Sequence, residues 1–210
     1  MENELLKPVY QAVLEGNLRA IKTAVQAALD ANLSPADILD TMSSAMDEVG
    51  LLFQSNEIYV PEMLVAAKTM QRGVGMLQPF MDDSSVGKNG KFIIGTVSGD
   101  LHDIGKNLVA MMVETAGFEV IDLGVDVPTE RFLEALRNNP DCKLIGLSAL
   151  LTTTMNSMRE TVAAIRAEFP EVKIMVGGAP VTQEFADAIQ ADAFTEDAAA
   201  AASKAKKLLN

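Results

Sequence analysis

The spacing of apolar residues changes once along the chain, near residue 90. Before that point, apolar residues recur every three or four positions in four segments, which is the period of an amphipathic helix. In the third segment, Ser34 occupies an N-cap position, with Pro35 at the first helical position and Asp37 in the first turn. The pattern predicts a small four-helix antiparallel bundle over residues 1–81. The segments are LLKPVYQAVL, LRAIKTAVQAAL, SPADILDTMSSAMDEVGLLF and VPEMLVAAKTMQRGVGMLQPF.

After residue 90, short β-branched apolar runs alternate with helical segments. Such alternation predicts a parallel sheet with helices on both faces. The expected fold class is therefore α plus α/β, in which the bundle precedes a five-stranded parallel flavodoxin-like or Rossmann-like domain over residues 91–210. The polar residues 82–90 between the two parts are predicted to be a linker. The five apolar runs are KFIIGTV, FEVIDLG, KLIGLSAL, VKIMVGG and the weaker DAFT.

Charge and cysteine content exclude several classes of partner. The formal net charge of -12 argues against a nucleic-acid or anionic-membrane surface, which needs clustered Lys and Arg. The single cysteine, Cys142, excludes a disulfide framework. The N-terminus lacks the pattern of a signal peptide, and no apolar run approaches the ~20 residues of a membrane span. We therefore expect a cytoplasmic protein with no nucleic-acid or membrane partner.

Polar and glycine-rich loops follow the predicted strands. The stretch SGDLHDIG follows the first strand, SALLTTT the third, GGAP the fourth and TEDA the fifth. The carboxyl ends of parallel strands share one edge of the sheet, and ligands of such sheets bind at that edge. The sequence therefore predicts a ligand site where these loops converge.

Familiar catalytic and nucleotide sites fit this edge poorly. The stretch GDLHDIGKN matches neither the dinucleotide fingerprint nor a P-loop. A structural zinc site needs four ligands, and Cys142 should lie at the opposite edge from His102. Ser148 could approach His102 with Asp100 behind it, but the exposed-serine motif G-x-S-x-G is missing from the sequence. We therefore expect Cys142 to be an inert thiol and hydrolysis not to be the activity.

His102 is the only histidine of the chain. One imidazole is enough to bind a metal whose other ligands come from a macrocycle. Asp100 can accept the second ring N–H, as the partner of a ligating histidine normally does. Gly99 and Gly105 leave room for a bulky planar ligand. The alternative is that His102 only caps the following helix or satisfies a turn.

The motifs of this edge resemble those of cobalamin-binding domains. Such domains carry an Asp-x-His-x-x-Gly motif, a Ser-x-Leu element and a double glycine. The helical part resembles the cap domain of methionine synthase and of the corrinoid proteins of methylotrophic methyltransferase systems. The resemblance covers nearly the whole chain in order. The matching residues are Asp100, His102 and Gly105, then Ser148 and Leu150, then Gly177 and Gly178.

The resemblance implies a site for cobalamin bound with its own base displaced. His102 would be the lower cobalt ligand, and Asp100 and Ser148 would assist it in a hydrogen-bonded network. Phe53 and Val60 would cover the upper face, where the methyl group sits, or would simply belong to the bundle core. The expected cofactor-binding residues are Phe53, Val60, Gly99, Asp100, Leu101, His102, Asp103, Ile104, Gly105, Ser148, Leu150, Thr152, Gly177, Gly178, Thr195, Glu196 and Asp197.

The implied function is that of a methyl carrier, which is not catalytic alone. A substrate-specific corrinoid methyltransferase would methylate cob(I)alamin, and methylcob(III)alamin would pass the methyl group to a second methyltransferase that uses tetrahydrofolate or coenzyme M. A reductive activator would be a further partner. Two alternatives are a cobalamin-dependent sensor without its DNA-binding domain and the cobalamin subunit of a radical mutase. Methanol, methylamines, thiols, aryl ethers and betaines all remain open as methyl donors.

Overall fold

The N-terminal part of the chain is helical, as its apolar spacing predicts. The structure is a computed structural model that describes residues 4–80 and 89–209, and the chain forms a helical unit and an α/β unit. The helices of the first unit are α1 (Lys7–Leu14), α2 (Ala20–Asp30), α3 (Pro35–Gln54) and α4 (Val60–Leu77), followed by a 3₁₀ turn at Gln78–Phe80.

The four helices bury their apolar faces against one another. Helix α1 packs on α2, α3 and α4, and α4 also packs on α2 and α3. The fully buried side chains of this core include Ile21, Ile38, Met42, Met63 and Met70. Each lies on the apolar face that the three-to-four spacing predicts.

Helix α3 begins as its sequence predicts. The Ser34 hydroxyl accepts a hydrogen bond from the backbone N–H of Ala36 at 3.2 Å, and Pro35 occupies the first turn, where its missing N–H is not needed. Asp37 adds a negative charge beside the positive end of the helix dipole. None of the described helices is long and apolar enough to cross a membrane.

The second unit is a five-stranded parallel sheet with helices between its strands. The strand order is β2-β1-β3-β4-β5, and every pair is parallel. This order is that of flavodoxin-like sheets. The elements are β1 (Lys91–Thr96), α5 (Ile104–Thr115), β2 (Glu119–Asp122), α6 (Thr129–Asn138), β3 (Leu144–Ser148), α7 (Met155–Glu168), β4 (Lys173–Gly177), α8 (Gln183–Ala188), β5 (Ala193–Phe194) and α9 (Ala198–Leu209).

The strand order creates a crevice between β1 and β3. The chain leaves β1 toward β2 on one side and leaves β3 toward β4 on the other, so the loops after these strands diverge. In the register of the sheet, Thr96 pairs with Ser148, and Ser148 pairs with Gly177. The three strands therefore end in one row, which brings the glycine-rich loops side by side.

The predicted linker falls mostly on residues that the structure does not describe. Residues 82–88 lie outside the described ranges. The boundaries 1–81, 82–90 and 91–210 therefore stay predictions, whereas the two-part fold class is observed.

We predict that Gly178→Ala destabilises the protein by about 2–4 kcal/mol. Gly178 has φ +125°, which side-chain-bearing residues rarely adopt, and a Cβ there would collide with the carbonyl oxygen of Ala149. Gly105→Ala is the matched control, because a Cβ at Gly105 meets nothing within 4 Å. Urea unfolding of the unliganded protein measures both changes. Equal stability of the two variants would contradict the prediction.

Candidate functional site

A buried carboxylate lies at the centre of the crevice. Asp100, in the loop after β1, is 0% exposed. Its Oδ1 accepts hydrogen bonds from the backbone N–H of His102 at 3.1 Å and from Nδ1 of His102 at 2.7 Å. Its Oδ2 accepts from the backbone N–H groups of Leu150 (2.7 Å) and Leu151 (3.2 Å) and from the Thr154 hydroxyl (2.8 Å). One carboxylate thus joins the loops that follow β1 and β3.

These hydrogen bonds decide the charge of Asp100. Burial alone raises the pKa of a carboxyl group, because it disfavours the charged form. The N–H of Leu150, the His102 ring and the Thr154 hydroxyl all favour the charged form. Together they outweigh burial and hold the pKa of Asp100 well below its usual range. Asp100 is therefore ionised at neutral pH although it is buried.

The same carboxylate sets the orientation of His102. An ionised Asp100 can only accept hydrogen bonds, so Nδ1 of His102 carries the proton and donates it to Oδ1 at 2.7 Å. In a neutral imidazole, Nε2 then keeps its lone pair. The carbonyl oxygen of His102 accepts from the Thr96 hydroxyl at 2.9 Å. The His102 side chain is 51% exposed, so part of the ring is open to solvent while Nδ1 faces the buried carboxylate.

The loop after β2 supports the loop that carries Asp100 and His102. The backbone N–H of Gly99 donates to Oδ1 of Asp126 at 2.7 Å, and the N–H of Asp126 donates to the carbonyl of Asp100 at 2.9 Å. Gly99 has φ +83° and Asp126 has φ +50°, so both turns use the left-handed region. Backbone hydrogen bonds on both sides of Asp100 therefore fix the start of the loop.

Apolar side chains project beside His102. Leu101 is 72% exposed and Ile104 is 77% exposed, and Leu150 and Leu151 on the neighbouring loop are also exposed. Within residues 4–80 and 89–209, no three His, Cys, Asp or Glu side chains come together as a metal site. One accessible imidazole in an apolar surround suits a metal that arrives inside a planar ring, and a corrin supplies four nitrogens of its own.

Comparison with known proteins decides between this ligand and others. Models described as "B12 binding domain" match residues 5–78 and 90–204. The chain belongs to the B12-binding family. Dimethylamine corrinoid protein 1 of Methanosarcina acetivorans is 41% identical to it over an alignment of 213 positions that covers 99% of each chain.

Two solved structures resemble this B12-binding protein over its full length. A cobalamin-binding protein from Desulfitobacterium hafniense has a TM-score of 0.85 at 31% identity and covers 99% of both chains. A chain of the methanol:cobalamin methyltransferase complex of Methanosarcina barkeri has a TM-score of 0.85 at 28% identity, covering 100% of this chain and 81% of that one. The family match confirms the expected corrinoid cofactor, and the two structures confirm the expected fold class.

Thr154, and not Ser148, supplies the hydroxyl that contacts Asp100. Ser148 ends β3, and its carbonyl accepts from the N–H of Val97 at 3.0 Å. Thr154 is buried in the 3₁₀ turn Thr152–Thr154. The three consecutive threonines at 152–154 are the sequence signal for this hydroxyl. Only the 3₁₀ turn determines that the last of them, Thr154, reaches Asp100. The expected place of Ser148 in the Asp100 network is therefore taken by Thr154.

The other expected residues of the α/β unit line the carboxyl edge of the sheet. Gly177 approaches the carbonyl of Thr195, because a Cβ there would lie 3.3 Å from that oxygen. Asp197 accepts the N–H of Ala200 at 2.7 Å, at the start of α9. Gly178 follows β4 and Glu196 follows β5, whereas Thr152 lies in the connection after β3 and is exposed. Contacts of these residues with a cofactor stay predictions.

Phe53 and Val60 lie in the helical unit, in the last turn of α3 and at the first residue of α4. Phe53 is partly buried and Val60 is 37% exposed, so neither belongs to the fully buried core of the helices. This removes the reason to treat them as core residues only. Their role as a cover of the methyl group stays a prediction.

Cys142 is buried two residues before β3. Its thiol donates to the carbonyl of Leu144 at 3.2 Å, and burial raises the pKa of the thiol. A protonated, buried thiol is a poor metal ligand and a poor nucleophile. The geometry agrees with the inert role expected for it.

We predict that Asp100→Asn destabilises the unliganded protein at neutral pH by about 1–3 kcal/mol. Both carboxylate oxygens of Asp100 accept hydrogen bonds. The NH₂ group of an asparagine at this position would therefore face another donor in either orientation of its amide. Because the folded-state pKa of Asp100 lies below the unfolded value of about 3.9, its contribution is present above that pH and is lost as pH falls. The difference in unfolding free energy between wild type and variant should therefore shrink below pH about 4.

Urea titrations of both proteins across this pH range measure the difference. Asp141→Asn is the matched control, because Asp141 is exposed and its ion pair with Lys91 contributes little at the surface. A wild-type–variant difference that stays constant with pH would contradict the ionised state assigned to Asp100.

Proposed function

We propose that this corrinoid protein binds the cobalt of its cofactor through Nε2 of His102. We further propose that it carries a methyl group from a substrate-specific corrinoid methyltransferase to a second methyltransferase. The observation that carries the ligand assignment is the 2.7 Å hydrogen bond from Nδ1 of His102 to a buried, ionised Asp100. It leaves the other ring nitrogen as an exposed lone pair, which is the form that a metal binds.

Asp100 has two tasks in this function. It holds the proton at Nδ1 of His102. It also makes the imidazole a stronger ligand, because accepting a hydrogen bond from that N–H raises the basicity of the ring. Leu150, Leu151 and Thr154 keep Asp100 charged and fixed through three hydrogen bonds to Oδ2. The imidazole can therefore bind or release a metal while its ring stays anchored at Nδ1.

A bound corrinoid supplies a redox-active cobalt ion that can take up and release a methyl group. The chain supplies the surroundings. Leu101, Ile104 and Leu150 offer apolar contact to a planar ring, and Gly105 leaves open space beside it. We assign the displaced nucleotide tail to the loops at Gly177–Gly178 and Thr195–Asp197. We assign Ser148 and Thr152 to the lining of that slot, and Phe53 and Val60 to the cover.

Because His102 is the only histidine of the chain, its proposed role as the cobalt ligand can be tested directly. The untagged protein is loaded with cobinamide, which lacks the nucleotide base, and reduced to the Co(II) state. A nitrogen bound to the Co(II) ion would then split the EPR lines into a triplet. Growth on histidine labelled with the heavy isotope of nitrogen should turn the triplet into a doublet, because every labelled side chain is His102.

His102→Ala is expected to remove the splitting and to weaken cobinamide binding by at least about 10–100-fold, since the loss of a ligand's hydrogen-bond partner alone typically costs that much metal affinity. Circular dichroism of the unliganded variant checks that it is folded. Retention of a nitrogen triplet in this variant, or a triplet unaffected by labelling, would show that His102 is not the ligand.

We propose a methylated amine as the methyl donor. The supporting observation is the 41% identity, over 99% of both chains, to a protein named for dimethylamine. Methanol is the second candidate, because a chain of a methanol:cobalamin methyltransferase complex shares this fold with a TM-score of 0.85.

Tetrahydrofolate and coenzyme M remain the two candidate methyl acceptors. A reductive activator of the corrinoid is a further proposed partner, and the proposed location is the cytoplasm. The buried free thiol of Cys142 fits a reducing compartment.

Methyl transfer between purified components tests the donor. The protein loaded with reduced cobalamin is mixed with a dimethylamine methyltransferase and dimethylamine, or with a methanol methyltransferase and methanol. We expect the absorption spectrum to change to that of the methylated cofactor with the amine pair and much more slowly with the methanol pair. The reverse order of rates would assign the protein to methanol.

A further inference from the structure

A buried lysine lies close to the proposed cobalt ligand. Among the residues that the structure describes, the charged side chains buried from solvent are those of Asp100 and Lys106. Both belong to the segment that carries His102. Burying a charge is costly even when it is paired, so a buried ion pair is weak evidence for stability. The position of Lys106, at the third residue of α5, points to a role in geometry.

Lys106 connects the start of α5 with the end of β2. Its ammonium group donates to Oδ2 of Asp122, the last residue of β2. The other carboxylate oxygen of Asp122 accepts the backbone N–H of Gly124 at 2.9 Å, which fixes the carboxylate itself. The sheet therefore provides a rigid anchor for the first turn of the helix.

The ammonium group also starts a chain of hydrogen bonds that leads back toward His102. Nζ of Lys106 donates to Oδ1 of Asn107 at 2.6 Å, which leaves the amide NH₂ of Asn107 turned the other way. That NH₂ donates to Oδ2 of Asp103 at 3.1 Å, and the N–H of Asn107 donates to the Asp103 carbonyl at 2.8 Å. Asp103 is the residue directly after His102.

His102 is thus held from two directions. On its N-terminal side, Asp100 and the loop after β2 fix the backbone and the ring, as described above. On its C-terminal side, the chain from Asp122 through Lys106 and Asn107 ends at Asp103. A ligand on a loop needs support on both flanks, since small displacements of a metal-binding nitrogen weaken the bond.

We propose that Lys106 is a positioning residue for His102. It holds the exit of the ligand loop against β2 through Asp122 and Asn107. The inference rests on the proposed function, in which Nε2 of His102 binds cobalt. Lys106 itself touches neither the cofactor nor the reacting atoms in this proposal.

The test replaces Lys106 by Met, which keeps most of the buried stem and removes the charge. Removing one partner of an ion pair is strongly destabilising where the other charge stays buried, but the Asp122 side chain is 38% exposed, so water can solvate its carboxylate in this variant. If Lys106 has only a structural role, its replacement should leave cobinamide binding and the EPR triplet of the Co(II) state unchanged. A positioning role predicts that Lys106→Met unfolds at a urea concentration similar to wild type, whereas its cobinamide dissociation constant rises about three- to tenfold. The EPR triplet of the Co(II) state should weaken in parallel.

Lys91→Met is the matched control. It removes the same charge from the same unit, and with it the ion pair with Asp141 at the opposite end of β1. It should leave cobinamide binding and the triplet unchanged. Equal losses in both lysine variants would attribute the effect to net charge and overturn the proposal.

Asn107→Ala provides a second variant on an exposed residue, in case Lys106→Met fails to fold. It removes the side-chain hydrogen bond to Asp103 but keeps the backbone hydrogen bond between the two residues, and it leaves Lys106 on Asp122, so we expect a smaller loss in the same direction. Wild-type binding and a wild-type triplet in every folded variant at positions 106 and 107 would overturn the proposal. A triplet that survives in His102→Ala would overturn the proposed function instead, so the two failures are distinguishable.

Discussion

The hydrogen bond between Asp100 and His102 depends on a carboxylate that stays charged inside the protein. Burial opposes that charge, and the Leu150 N–H and the Thr154 hydroxyl, which arrive from the β3–α7 connection, stabilise it together with His102 itself. Those groups reach Asp100 because β1 and β3 are neighbours in the sheet. The tautomer of the histidine, and with it the free lone pair, is therefore a consequence of strand order.

The same dependence explains how one histidine can serve a metal. Other metal sites collect several side chains, and the described part of the chain offers no such cluster. In the proposed function the corrin ring supplies the remaining ligands, so the protein would need to hold only a single imidazole in place. In the described part of the chain, the two buried charged side chains both lie close to this histidine in sequence. Asp100 is two residues before His102 and Lys106 is four residues after it.

Most of the fold follows from local patterns. The four helices of the first unit and the alternating elements of the second were predictable because amphipathic periods differ between helices and strands. The Asp-x-His-x-x-Gly stretch was also recognisable, since its residues are close together in sequence. The hydroxyl partner of Asp100 was not. Ser148 was expected from its place at the end of the third strand, but the 3₁₀ turn after it directs Thr154 inward.

The sequence by itself determined the helical and strand segments, the glycine-rich edge and the candidate ligand with its carboxylate. Each of these depends on neighbours within a few residues. Only the tertiary structure decided the strand order and the ionised state of Asp100. It also decided the hydrogen bond from Gly99 to Asp126 and the ion pair of Lys106 with Asp122. These contacts join residues that lie 16 to 54 positions apart, and no local pattern specifies which distant polar group a buried charge will meet. That choice is made when the sheet assembles and every buried donor and acceptor has to find a partner.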